Sequence, residues 1–276
     1  MKIKTVWAVY FSPAGSTKNI AVSSGKLLAA ELGADFKEID FTLPAAREET
    51  YHFSQEELVI FAMPVYAGKI PNKMLPYVKD GFSADGSALI ALSVFGNRAF
   101  DNALSELRAV LENSGFICAA GAGLASRHVF SKILGKNRPD SNDGALLNEF
   151  LKNISAALKS SANVPHAEDF PGDADAAYYT PLGTDSKPAK FLKAKPKTDM
   201  NKCTDCKICA NVCPLSSISF DTVNEVPGIC IKCQACVLKC PENAKYFDDE
   251  SFLSHVKMIE QNYIRPAENS FFYPKI

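Results

Sequence analysis

The sequence lacks an excess of charge of either sign, since its 276 residues carry 30 Lys and Arg against 31 Asp and Glu, a formal net charge of −1. Without a basic field, nucleic acids and anionic membrane surfaces are not expected partners. Long apolar runs are missing too: the longest early run, residues 5–11, is far short of the roughly 20 residues that cross a bilayer. No signal peptide is recognisable. We therefore expect a cytoplasmic protein.

Histidine is scarce, and no metal-ligand spacing links its four positions, so we interpret them as ordinary core or surface residues: His52, His128, His166 and His255. Cysteine is absent from most of the chain, because eight of its nine residues lie between Cys203 and Cys240. Disulfide frameworks of secreted proteins spread through the fold, so this crowding predicts a metal centre. The ninth, Cys118, lies in an apolar run and is expected to be a buried core residue.

The first 160 residues alternate short β-rich apolar runs with amphipathic helical patterns. This alternation predicts an α/β fold, a parallel sheet covered by helices on both faces. Five strands fit one doubly wound sheet, and they are predicted at residues 3–11, 34–40, 57–63, 88–95 and 116–124. Helices are predicted after the first and fourth strands, and a closing helix over residues 145–158.

The remaining chain divides into three segments. Residues 161–197 hold five prolines and several lysines near their end, which favours an extended, solvated linker. Residues 198–249 contain a duplicated cysteine motif, whose two copies are expected to pack together as a small domain around whatever the thiolates bind. Residues 250–276 carry apolar side chains at helical spacing, which predicts a helix in a tail docked on one of the domains: Phe252, Val256, Ile259 and Tyr263.

The cysteine motif has the spacing of bacterial iron-sulfur proteins. Three cysteines at intervals of three positions are followed by a fourth before a proline, and the run returns 27 residues later. In this pattern the fourth cysteine of each run ligates the other cluster. One 4Fe-4S cluster is therefore assigned to Cys203, Cys206, Cys209 and Cys240, and the other to Cys213, Cys230, Cys233 and Cys236. Zinc ribbons are the alternative, although they do not normally run three cysteines and a closing Cys-Pro twice. This part of the chain resembles a bacterial ferredoxin domain with two 4Fe-4S clusters, and the resemblance implies a small α+β fold.

Three loops follow strands of the predicted sheet. Residues 12–17 lead from the first strand into a helix and carry small hydroxyl side chains, which suits an anion such as phosphate at the helix N-terminus. A plain turn with Ser16 or Thr17 as N-cap is the alternative interpretation. Residues 63–71 and 93–100 follow the third and fourth strands, and in a parallel sheet all three loops meet at the carboxyl edge. Together they suit a flat ring attached to a phosphate.

These loops resemble the flavodoxin family, whose phosphate loop reads T/S-x-T-G-x-T and whose next two loops flank the ring of FMN. The resemblance implies a phosphate loop of Ser12, Ala14, Gly15, Ser16 and Thr17. It places the isoalloxazine between Pro64, Val65, Tyr66, Ala67 and Gly68 on one side and Phe95, Gly96, Asn97 and Phe100 on the other. Ala14 departs from the pattern, because it replaces a hydroxyl contact worth about 1 kcal/mol. Phe100 likewise has no hydroxyl.

The chain as a whole resembles the flavodoxin-ferredoxin fusion proteins of anaerobic bacteria. The resemblance implies an electron-transfer protein that relays single electrons between two 4Fe-4S clusters and FMN, and that exchanges them with redox partner proteins. One alternative is an FMN-dependent reductase of a small organic substrate, with Arg98 or Tyr66 as proton donor. Another is a module without flavin. Residues 121–126 are a poor dinucleotide fingerprint, because Ser126 takes the third glycine place and the segment follows the last strand.

Overall fold

The structure is a computed structural model and describes residues 2–275. Its strands are β1 (Thr5–Tyr10), β2 (Asp35–Asp40), β3 (Tyr51–Phe53), β4 (Glu57–Pro64), β5 (Phe82–Ala84), β6 (Ala88–Phe95), β7 (Ile117–Ala125), β8 (Lys197–Thr198), β9 (Lys245–Tyr246) and β10 (Ser270–Phe272). Its α-helices are α1 (Ser16–Leu32), α2 (Leu75–Asp80), α3 (Ala103–Glu112), α4 (Ser141–Ser160), α5 (Ile208–Asn211), α6 (Ala235–Leu238) and α7 (Glu250–Asn262).

Five parallel strands form the main sheet in the order β2-β1-β4-β6-β7. The chain steps outward from β1 to β2 and then returns across β1 to β4, which is the doubly wound order of the flavodoxin-like fold. All five predicted strands are present, each within two residues of its expected bounds. The switch point lies between β1 and β4, so the carboxyl ends of these strands form the crevice where such folds bind ligands.

Two apolar cores cover the two faces of this sheet. Alternate residues of each strand enter opposite cores, so that Ile60 of β4 lies in one and Phe61 in the other. One core is completed by α1 and α4, and the other by α2 and α3. Cys118 is fully buried as expected, and burial raises the pKa of its thiol to about 12. The strands read as continuous apolar runs because both faces are covered.

The sheet has a sixth strand that the sequence did not predict. β10, from the tail, pairs antiparallel with β7 and sets Phe271 opposite Ala122. The rings of Phe271 and Tyr273 pack on Phe150 of α4, with centroids 5.0 and 5.3 Å away. Three residues are too short for a period-two pattern to stand out, so only the structure reveals that the tail docks through strand pairing as well as through α7.

The predicted linker, residues 161–197, is irregular but is not a free spacer. The Ala167 N–H donates to the carbonyl of Cys118, and the Tyr179 N–H donates to the carbonyl of Ala67, both at 2.8 Å. The Lys69 ammonium donates to the carbonyls of Ala174 and Ala176, at 2.9 and 2.8 Å. Residues 174–179 therefore form a strap held across the carboxyl edge of the sheet.

The strap depends on a buried ion pair. Lys69 Nζ lies 3.1 Å from Glu106 Oε1, with side chains 8% and 5% exposed. We expect Lys69→Met to lower the free energy of unfolding by about 3–5 kcal/mol, because the Glu106 carboxylate stays buried without its partner. Thermal melting of the anaerobic protein measures the effect. The control Lys4→Met removes the exposed pair Lys4–Glu56, worth about 0–1 kcal/mol; equal melting temperatures for the two variants would contradict the expectation.

The duplicated cysteine segment forms a small second domain. Its ends pair as β8 and β9, which are antiparallel, and α5 and α6 are single helical turns at equivalent places in the two copies. Ile218 and Val223 pack with Cys209 and Cys236 in its interior. Within residues 2–275, no helix combines the length and the apolar character needed to cross a membrane.

Candidate functional site

Four cysteines drawn from both copies of the repeat surround a cavity in the second domain: Cys203, Cys206, Cys209 and Cys240. This is the set assigned to one cluster from the spacing. Val223 and the stem of Lys245 complete its wall. Cys206 is exposed, so this set reaches the protein surface.

The other four cysteines surround a second cavity with a mostly apolar wall: Cys213, Cys230, Cys233 and Cys236. Cys233 and Cys236 are buried. Burial raises the pKa of the Cys233 thiol to about 12 and that of Cys236 further still. A metal centre binds the thiolate form, so its binding at this set displaces the thiol protons.

The backbone follows the duplication closely. Six non-glycine residues in the left-handed region form three pairs that are 27 positions apart: Asp205 with Lys232, Lys207 with Gln234, and Ser216 with Asn243. Their φ values lie between 48° and 62°. Such conformations cost of order 1–3 kcal/mol each and persist where the surroundings impose them, which is common at functional sites. The repeated geometry marks both cysteine loops as built sites.

Backbone N–H groups point at the sulfur atoms. Cys213 Sγ accepts from the N–H of Ser217 at 3.3 Å, and Cys240 Sγ accepts from Ala244 at the equivalent place, at 3.2 Å. Hydrogen bonds of this kind stabilise thiolates and set cluster potentials. In the described chain, no three His, Cys, Asp or Glu side chains are placed to hold a single metal ion. Four thiols around a cavity, with amide donors behind them, fit a four-iron cluster.

A larger cavity, of about 660 Å³, lies at the carboxyl edge of the main sheet. Its volume is within the roughly 300–1,000 Å³ of small-molecule sites. All three predicted loops reach it. The predicted residues on its wall are Ser12, Ala14, Ser16, Thr17, Pro64, Val65, Tyr66, Ala67, Gly68, Phe95 and Gly96.

The start of α1 is arranged to receive an anion at one end of this cavity. Ser12 Oγ accepts from the Lys18 N–H at 2.9 Å and so caps the helix from outside it. The other N–H groups of the first turn have no partner within the helix, and the helix dipole favours negative charge there. These features fit a ligand that carries a phosphate.

Asn97, predicted beside the flavin ring, does not line the cavity. It is buried, and its side-chain amide donates to the carbonyls of Tyr263 and Arg265 at 2.6 and 3.1 Å. Its amide oxygen accepts from the N–H of Ala267 at 3.0 Å. Asn97 therefore connects the tail to the loop after β6. The resemblance could not predict this role, because the hydrogen-bond partners of Asn97 come from the tail.

Phe100 and Gly15 also lie off the wall. The Phe100 ring packs on Phe95, with centroids 5.7 Å apart, and covers Gly123, where a Cβ would come within 2.4 Å of the ring. Phe100, predicted beside the flavin ring, thus packs within the domain and is not among the residues that line the cavity. Gly15 has φ of 95°, so its contribution is the left-handed turn that starts α1.

Much of the cavity wall comes from segments that sequence reasoning missed. They are residues 126–130 after β7, Tyr178 and Tyr179 of the strap, Phe191 and Leu192, residues 229–232, and His255 of α7. The Arg98 guanidinium lies over the Tyr179 ring, 4.1 Å from its centroid. These residues are far apart along the chain, and two of the four histidines read as ordinary are among them, so no local spacing could have grouped them.

The second cysteine set and the large cavity share a wall. Ile229, Cys230 and Ile231 line both. Tyr66 stands beside them: burial and the neighbouring Cys233 and Cys230 thiols raise the pKa of its phenol well above the usual range. Tyr66 therefore keeps its proton. The Cys203 set shares no described wall residue with the large cavity.

Comparison with known proteins identifies the second domain. Residues 196–219 match a family model described as a 4Fe-4S binding domain, and residues 227–245 match a second model of the same description. No curated protein matches the chain.

Three solved structures illustrate the similarity of somewhat more than half of the chain to known folds, at low sequence identity. A flavodoxin from the domain Archaea is 15% identical with a TM-score of 0.41, over 57% of this chain and 99% of that one. An NADH:FMN oxidoreductase in its apo form is 17% identical with a TM-score of 0.42, over 59% and 94%. A mutant flavodoxin from Pseudomonas aeruginosa is 16% identical with a TM-score of 0.38, over 56% and 99%. The fold of the first domain is therefore assigned from the strand order of its sheet.

Proposed function

We propose that this chain, a flavodoxin-like domain joined to 4Fe-4S binding repeats with an electron-transfer role, relays single electrons between two 4Fe-4S clusters and an FMN. The clusters carry electrons singly, and the flavin couples single electrons to pairs. No side chain is assigned as an acid, base or nucleophile.

The observation that carries the proposal is the wall that Cys230 shares with the large cavity. Electron tunnelling falls steeply with distance, so two redox groups exchange electrons quickly only when little protein separates them. A cluster held by the Cys230 set and a ring held by residues 64–68 would be separated by the side chains of this wall and by Tyr66. The apolar side chains of Ile229 and Ile231 stand beside Cys230 on this wall.

The first domain offers binding surfaces for FMN, and the second domain offers the cysteines for the clusters. The start of α1 supports a phosphate site, while Tyr66 and Phe95 offer aromatic surfaces for a flat ring. The Cys203 set lies away from this cavity, and Cys206 is exposed. This exposure supports the Cys203 set as the place where a redox partner protein exchanges electrons with the chain.

Anaerobic purification followed by metal, sulfide and flavin analysis of one sample tests the assignment. We expect about eight irons, about eight sulfides and one FMN per chain, as two four-iron clusters and one flavin require. Rapid mixing with a reduced one-electron donor should then bleach the flavin absorbance. Stoichiometric zinc with no iron would overturn the cluster assignment, and iron without flavin would indicate a module that holds no FMN.

A further inference from the structure

The large cavity extends well past the three loops assigned to FMN. Its far side, here called the outer wall, consists of Arg98, residues 126–130, Tyr179, Phe191 and His255. The phosphate loop follows β1, whereas residues 126–130 follow β7, which is three strands away in the sheet. At about 4.8 Å per strand, the two ends of the cavity are roughly 14 Å apart. A group at the outer wall is therefore distinct from the phosphate at the start of α1.

The charge of the cavity lining has one sign. The lining includes the cations Lys73, Arg98, Arg127 and Lys232, and no Asp or Glu among the described residues. A cleft of one sign with low-dielectric walls concentrates ligands of the opposite charge. Arg98 and Arg127 follow β6 and β7, away from the phosphate loop. Asp101 pairs with Arg98 from outside the lining, so the positive charge at the outer wall that has no such partner within residues 2–275 is that of Arg127.

Two neutral histidines present complementary hydrogen-bonding groups. The N–H of Phe130 donates to Nδ1 of His128 at 3.1 Å, and Nδ1 of His255 donates to the carbonyl of Leu182 at 2.8 Å. Burial lowers the pKa of His128 to about 4, with His255 and Arg98 acting in the same direction, and burial also lowers the pKa of His255. Both rings are neutral at pH 7, so Nε2 of His128 is a donor and Nε2 of His255 is an acceptor.

The outer wall is also flat and aromatic. Phe191 stacks on the His255 ring at 5.4 Å, and Phe130 meets the His128 ring edge to face at 5.1 Å. Arg98 lies on the Tyr179 ring and is oriented by the Asp101 carboxylate, which occupies only one of its terminal nitrogens. A guanidinium held in this way presents further N–H groups to a carboxylate. The buried hydroxyl of Ser126, which has no hydrogen-bond partner among the described residues, lies on the same side.

We infer that the outer wall binds a small planar organic acid, an aromatic or conjugated carboxylate, beside the flavin position. Arg98 and Nε2 of His128 contact the carboxylate, and the rings of Phe191 and Phe130 flank its planar part. This inference deepens the proposed function by naming a ligand class for the same cavity, and it rests on that function only for the identity of the neighbouring ring.

Calorimetric titration of the anaerobic, full-length protein with trans-cinnamate tests the inference, with cinnamamide as the uncharged analogue of the same shape. We expect cinnamate to bind and cinnamamide to bind at least about tenfold more weakly, since charge-assisted hydrogen bonds are lost. Arg98→Met should weaken cinnamate binding by a similar factor, and Arg127→Met should weaken it less because Arg127 is exposed.

The matched control is Arg108→Met. Arg108 also lies on an aromatic ring, 5.0 Å from the centroid of Phe170, and pairs with a carboxylate, Glu112, but it is outside the cavity. The Arg108→Met variant should bind cinnamate with unchanged affinity. Equal affinities for cinnamate and cinnamamide in the unaltered protein, or no binding of either up to 10-millimolar order, would overturn the inference even if Arg98→Met failed to fold.

Flavin and iron are measured on every calorimetry sample, so the two proposals fail separately. A sample that contains full FMN and iron but does not bind cinnamate would contradict only the proposal of an organic acid site. A sample without FMN that still prefers cinnamate to cinnamamide overturns the flavin assignment and leaves the acid site standing, because Arg98 and His128 belong to the protein.

Discussion

Cys230→Ala should remove about half of the iron, from about eight to about four per chain, because a four-iron cluster loses one of its cysteine ligands. Cys230 is also the cysteine on the shared wall, so the variant should keep its FMN but no longer reduce it rapidly after mixing with a one-electron donor. Iron analysis and stopped-flow absorbance on the same sample measure the two effects.

Two other cysteine variants make the result specific. Cys118→Ala changes a fully buried thiol of the main core that lines neither cysteine cavity, and it should keep all its iron and its flavin reduction. Cys203→Ala should also lose about four irons, but from the set with no described residue on the flavin wall. A Cys230→Ala protein with about eight irons and normal flavin reduction would contradict both the ligand assignment and the electron path.

Gly15→Val should weaken FMN binding by at least about tenfold and leave iron unchanged. Gly15 has φ of 95° at the start of α1, and nothing lies within 4 Å of where a Cβ would stand. The effect is therefore conformational: a left-handed residue with a side chain costs roughly 1–2 kcal/mol, and a β-branched one costs more. We expect the loop of the variant to adopt a different backbone conformation, in which its N–H groups no longer point toward the phosphate. Fluorescence titration of the apoprotein with FMN measures the affinity.

Gly33→Val is the matched control, because Gly33 ends the same helix with φ of 65° and equally open space around it. It should cost similar stability and leave the FMN affinity unchanged. Equal losses of FMN in both variants would assign the effect to the stability of α1. Loss of iron with retention of flavin in Gly15→Val would reverse the division of cofactors between the two domains.

Local sequence patterns predicted the main sheet and the grouping of eight cysteines into two sets of four. Both predictions were possible because strand alternation and cysteine spacing depend on neighbouring residues. The duplication even fixes which cysteine crosses to the other set, and the structure gathers the same two groups of four. That these thiols hold clusters stays a prediction, and the two family matches support it.

The remaining features depend on contacts between distant segments. Asn97 is oriented by tail residues more than 160 positions away, and His128 and His255 meet only because α7 folds back on the first domain. β10 is too short to show a period. The segment that contains the strap was predicted to be an extended linker from its proline content. Proline content indicates backbone preference and does not reveal the hydrogen bonds that Lys69 donates to the strap.

The sixth strand has a kinetic consequence. The small domain is attached to the large one twice, by the strap that precedes it and by the strand that returns after it to β7. A domain anchored at both ends does not swing on a single hinge, which restricts how far its inner thiols can move away from the crevice. In the proposed relay, transfer within the chain is therefore a first-order event whose rate is independent of protein concentration, whereas the rate of exchange with a separate redox protein depends on the concentrations of both.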